Sequence, residues 1–166
     1  MKKILLLPIF ILLLGCSKDE DIAGNQEEFF MAQVDGEEYF VGGSNSIIRC
    51  KKHLTDLGTI GLAVKASTEE GKDIEIIILN YNGANTYLFA NNTYIPINGN
   101  WMKYSQALPQ GVWSTTQNTI TSNRAILEIT NDDGKTISGT FSFDAQDEFR
   151  ESIRSISEGN FSVEID

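Results

Sequence analysis

Histidine, cysteine and proline are nearly missing from this chain of 166 residues, which holds one His, two Cys and three Pro. A structural zinc site needs about four Cys or His ligands, so the sequence offers no metal site of that type. A serine hydrolase needs a base, and His53 is the sole imidazole; no Gly-x-Ser-x-Gly elbow occurs either. Cys50 and His53 stand three apart, which in a strand points them to opposite faces and spoils a nucleophile–base pair. Basic residues are the minority, 13 Lys and Arg against 23 Asp and Glu, for a formal net charge of −10. That balance excludes nucleic acid and anionic lipid headgroups as partners, since both select basic patches. Asn131-Asp132-Asp133-Gly134 lacks the spacing and terminal glutamate of a calcium-binding EF-hand loop. Helical periodicity is scarce, with a weak turn of helix or a continuing strand at Asp147 to Ile153. No internal repeat suggests a propeller or solenoid.

One long apolar run is present. Lys2 and Lys3 precede eleven apolar residues, Ile4 to Leu14, and the run ends at Gly15-Cys16. A basic end, a hydrophobic stretch and a small residue predict a secretory signal peptide over residues 1–15. Eleven residues are too few to span a bilayer, which needs about 20. Leu13-Leu14-Gly15-Cys16 resembles the lipobox of bacterial lipoproteins. The resemblance implies cleavage after Gly15, a diacylglycerol thioether on Cys16 and acylation of its freed amino group. No other cofactor is expected, and the outer membrane, reached through this anchor, is the expected partner. Residues 16–27 carry the acids Asp19, Glu20, Asp21 and Glu27 among polar residues with little to bury, the composition of a flexible tether. Lys18, Asp19, Glu20 and Asp21 behind the cysteine resemble the export signal of Bacteroidota surface lipoproteins. That implies display on the cell surface, with the periplasmic face as the alternative. Removing residues 1–15 takes away Lys2 and Lys3 and no acid, which moves the net charge from −10 to −12. With Cys16 acylated, Cys50 is left alone, so no intrachain disulfide forms and the thiol reads as a small buried hydrophobe.

Residues 28–166 read as one β domain. Along Thr136 to Asp144 the odd positions are Ile, Gly, Phe and Phe and the even ones are polar, the mark of a strand with one face in a core. Ala125 to Thr130 precedes it across an Asp-Gly step, which predicts a hairpin. Phe29 to Val34 and Glu37 to Val41 flank a second such step, Asp35-Gly36. Thr59 to Ala66 and Asp73 to Leu79 flank a third turn, and Ile77 and Leu79 predict that the later strand is covered on both faces. Thr86 to Ala90, Thr93 to Ile97 and Ser152 to Ile165 complete the set, the last broken by a bulge at Glu158-Gly159. The basic stretch Arg49 to His53 suits an edge strand guarded by charge. The fold class is therefore all-β, an antiparallel sandwich or partly open barrel.

Phe30-x-Ala32-x-Val34-Asp35-Gly36, Ala125 to Thr130 and Ile137-Ser138-Gly139-Thr140-Phe141-x-Phe143 together resemble a family of Bacteroidota lipoproteins of unknown function. The resemblance implies a small secreted all-β domain and supplies no catalytic residues. Binding character gathers between Tyr94 and Thr116. There Tyr94, Trp101, Tyr104 and Trp113 stand among Asn, Gln, Ser and Gly, with Pro96 and Pro109 expected to break regular pairing. Such rings stack on sugars or anchor proteins when exposed, and close a core when buried. The expected role is a non-catalytic recognition module for glycan or protein. A structural or accessory envelope lipoprotein is the alternative, and a carboxylate-dependent hydrolase a distant third.

Overall fold

The Asp-Gly steps become the tight turns their chemistry favours. In the computed structural model, which describes residues 27–43, 47–89, 99–117 and 125–166, β1 (Phe29–Val34) and β2 (Glu37–Gly42) pair from Phe29↔Gly42 to Val34↔Glu37. Asp35 and Gly36 between them take left-handed φ of 53° and 84°, as a primed two-residue turn requires. The signal peptide, Cys16, Lys18, Asp19, Glu20, Asp21, Tyr94 and the strand Thr93 to Ile97 lie outside the described residues. β3 (Ile47–Leu54), β4 (Ile60–Ser67) and β5 (Lys72–Ile78) form a meander. The short β6 (Thr86–Leu88) follows. β7 (Trp101–Gln106) and β8 (Gly111–Ser114) make a hairpin ending in a 3-10 turn, Thr115–Gln117. β9 (Ile126–Asp132), β10 (Thr136–Asp147) and β11 (Ile153–Glu164) complete the chain.

Every pairing is antiparallel, and the strands run in the order β2-β1-β11-β10-β8-β7-β5-β4-β3. β10 is long enough to fork the sheet. Ile137 to Ser142 carry β9, and β9 in turn carries β6; farther along, Gln146 and Asp147 pair with Ser114 and Trp113 of β8. The path ends, β2 and β3, approach each other without pairing, so the sheet is a nearly closed barrel. Its interior takes the inward residues of each strand: Ile74, Ile76 and Ile78 from β5, and Ile137, Gly139, Phe141, Phe143 and Ala145 from β10. Phe30 packs between Phe141 and Phe161 at ring-centroid distances of 4.9 and 5.7 Å. Each such ring contributes about 1.5–3 kcal/mol by leaving water.

The structure departs from the sequence expectation at three places. β5 lies centrally, between β4 and β7, but only one of its faces is covered. In a one-layer barrel the other face is the outside, and Asp73, Glu75 and Ile77 are half-buried there. Pro109 does not interrupt pairing; it occupies the turn of a regular hairpin that closes at Gln106↔Gly111. Asp147 to Ile153 is neither a turn of helix nor one strand. β10 ends at Asp147, and a loop capped by that carboxylate leads into β11.

The bulge at Glu158-Gly159 is present. β11 uses one residue more than both β1 and β10 over the same stretch, and Glu158 takes φ 53° to absorb it. Gly159 lies beneath Phe141, where a Cβ would come within 2.6 Å of the ring. The seam where the path ends, β2 and β3, each meet the rest of the barrel is held by side chains and one backbone bond. Lys52 of β3 meets both carboxylate oxygens of Asp132 of β9 at 2.9 and 2.8 Å, and Tyr81 donates to the same carboxylate at 2.8 Å. Tyr39 of β2 donates to the Ala66 carbonyl of β4 at 2.6 Å, and the Asp166 N–H donates to the Cys50 carbonyl at 2.7 Å.

Candidate functional site

Gly111 starts β8 because a side chain there would overlap the Trp113 indole, so the ring can lie flat along its own strand. Trp113 is buried, packed against Tyr104 at 5.7 Å between centroids, with the Arg154 guanidinium 4.7 Å from its ring. The indole N–H donates to Ser152 Oγ at 2.8 Å, and Ser152 O–H donates to Asp147 at 2.6 Å. Asp147 also accepts the N–H groups of Glu151 and Ser152 at 2.8 and 3.1 Å. The Ser152 hydroxyl bond, aided by these N–H groups, holds the Asp147 carboxyl below the usual carboxylate range. Arg154 reaches Asp35 of the β1–β2 turn at 2.6 Å. The loop after β10 is thus fastened to the barrel wall by Trp113, Ser152 and Asp147.

Between that loop and the β7–β8 hairpin lies a cleft of about 580 Å³, lined by Gln110 to Ser114 and Asp147 to Phe149. Its rim mixes the polar Gln110 and Glu148 with exposed apolar side chains. Phe149 is 73% exposed, Val112 52%, and Leu108, at the tip of the adjoining hairpin, 88%. Chemically the cleft offers an aromatic edge below and backbone walls, and the Asp147 carboxylate is engaged in loop geometry. Such a site is suited to holding an apolar group. Among the described residues no group of His, Cys, Asp and Glu could hold a metal ion.

The structure divides the residues expected to bind. Trp113 and Tyr104 are partners inside the barrel end, and Tyr104 donates its hydroxyl to Gln106 at 3.1 Å. Trp101 lies half-buried on the outer face, where Lys103 rests 5.3 Å from its ring and pairs with Glu75 at 2.6 Å. The period of two along β7 separates Trp101 from Tyr104, so these rings share no single platform. Phe149, Val112, Ser152 and Arg154 were missed. For Phe149 a signal exists: Asp147-Glu148-Phe149-Arg150-Glu151 places a lone aromatic among four charges, where no strand would bury it. No protein-family model, curated protein or solved structure matches the chain.

Proposed function

We propose that this protein is a lipid-anchored envelope lipoprotein of the outer membrane, displayed on the cell surface, whose barrel is a non-catalytic recognition module. The Trp113-floored cleft is the recognition site, and a protein segment is its ligand in preference to a glycan. The observation that carries this reading is the set of exposed apolar side chains on the rim. Phe149, Val112 and Leu108 stand in water beside a cleft with a rigid floor, the arrangement of an anchor pocket at a protein interface. A glycan site would present an open ring face, whereas Trp113 has Arg154 over it and Tyr104 against it. The membrane anchor rests on Cys16 and the resemblances around it.

A photo-crosslinking side chain at position 149, introduced in the native host, tests the site. A discrete crosslinked protein is expected, and Val112→Asp should abolish it while the melting temperature stays unchanged. Equal crosslinking from Val112→Asp cells would refute the cleft. A second reading, a structural lipoprotein within an envelope complex, is favoured by the burial of Trp113 and Tyr104, which hold the barrel rather than meet a ligand. It predicts that the same probe marks a constitutive neighbour whose abundance falls when this protein is removed.

A further inference from the structure

β2 is one end of the strand path, and among the described residues one of its edges is unpaired. In a two-residue hairpin the pair flanking the turn exchanges hydrogen bonds. Glu37, Tyr39 and Val41 therefore bond to β1, while Glu38, Phe40 and Gly42 aim their N–H and C=O groups away from it. No described strand pairs with that edge. Natural edges are usually blunted by lysine, proline, a bulge or a covering element. Among the described residues β2 has only the charges of Glu37 and Glu38 to guard it, and it exposes Phe40 at 54%.

A groove of about 450 Å³ runs beside the edge, between Glu38 to Phe40 and the β4–β5 turn with Glu69, Glu70 and Lys72. Glu38, Tyr39 and Lys72 also line a second hollow of about 250 Å³ that reaches Glu37. The sign of the charge is one-sided. Lys72 is taken by Glu70 at 3.1 Å and Arg154 by Asp35 at 2.6 Å, while Glu37, Glu38 and Glu69 make no ion pair among the described residues.

We propose that the β2 edge accepts an extended basic segment of a partner protein as an added strand. The segment's backbone pairs with Glu38, Phe40 and Gly42, an apolar side chain covers Phe40, and its Lys or Arg side chains meet Glu37, Glu38 and Glu69. A second copy of this chain is a poor occupant. Its own β2 carries the same acids, and the outward edge of its most basic described strand, β3, is already engaged: Lys52 is bound to Asp132, and the Cys50 carbonyl accepts the Asp166 N–H. This surface is separate from the Trp113 cleft, and the inference stands without it.

The test uses the full chain in detergent micelles and three synthetic strands. One alternates Lys and Val, one alternates Glu and Val, and the third is the Lys peptide N-methylated at every other residue to block pairing. The Lys peptide should bind and shift the amide signals of Glu38 to Gly42. The Glu and N-methylated peptides should bind at least roughly five- to tenfold more weakly, the loss expected for strand hydrogen bonds and charge pairs. Phe40→Pro removes an outward N–H without touching the β1 pairing and should weaken binding similarly, with an unchanged melting temperature. Glu37→Lys with Glu38→Lys should reverse the preference between the Lys and Glu peptides. Equal binding of the N-methylated peptide would overturn the proposal, as would signal shifts confined to the Trp113 cleft. A concentration-dependent dimer that the Lys peptide cannot dissociate would overturn it as well.

Discussion

Phe141 and Thr140 are adjacent, and their side chains live in different media. Phe141 is buried against Phe30, Phe143 and Phe161, while Thr140 faces water. Phe141→Asp puts an unpaired carboxylate into that ring cluster and should leave the barrel unfolded at room temperature, whereas Thr140→Asp should melt close to the parent. Circular-dichroism melts decide it, and equal midpoints would refute the facing of β10. The two tryptophans differ in the same way. Trp113→Ala opens a cavity and leaves Ser152 without its donor, so it should cost about 3–5 kcal/mol in a denaturant titration. Trp101→Ala, half-buried on the outer face, should cost well under half of that. Cys50 offers a third check. Burial, with the nearby Asp166 charge, pushes its thiol up to about 12. The native protein should therefore resist alkylation at pH 8, and label at the rate of a free thiol once guanidinium unfolds it.

Between elements, the seam is where charge does the work of backbone pairing. Partial burial raises the Asp132 carboxyl, but hydrogen bonds from Lys52, Tyr81 and the Gly134 N–H, with the Lys52 charge, outweigh it and hold the group below its ordinary value. A carboxyl depressed in the folded state adds stability above its unfolded pKa of about 3.9, and that stability is lost as pH falls through the folded value. Asp132→Asn should cost about 1–3 kcal/mol at pH 7 and flatten the acid limb of the stability curve, the two proteins converging at the lowest pH. Parallel curves down to pH 2 would show that Asp132 does not couple β9 to β3. The seam also marks the limit of sequence reading. Hairpins were legible because period-two alternation and Asp-Gly steps are local; Ile137 to Phe143 and Asp35-Gly36 needed no distant partner. The fork at β10, the uncovered outer face of β5 and the Lys52–Asp132 bond depend on residues as many as 80 positions apart, and no window on the chain contains both. The cleft was half legible for the same reason: Trp113 stood out as one of two tryptophans, but the walls from Asp147 to Phe149 join it only through the pairing of β10 with β8.

At the scale of the whole molecule, the barrel and the proposed anchor are separable by mutation. Among the described residues no helix is long and apolar enough to cross a membrane. The barrel's core begins at Phe30, fourteen residues beyond Cys16. With Cys16 acylated as proposed, the ten residues 17–26 bound the barrel's reach from that cysteine at about 35 Å. On the proposed anchoring, Cys16→Ala leaves no acceptor for diacylglycerol, because the remaining thiol, Cys50, lies inside the barrel. The variant should take up no labelled palmitate and keep its signal peptide, while its barrel melts at the parent's temperature. Labelling that survives Cys16→Ala would remove the lipoprotein reading and leave the barrel untouched. Changing Asp19, Glu20 and Asp21 together to Ala separates anchoring from display. Palmitate labelling should persist while protease shaving of intact host cells loses the protein, because the acylated cysteine remains and only the address behind it is gone. If the variant is shaved from intact cells as readily as the parent, those acids serve as solvated chain and are not the export address.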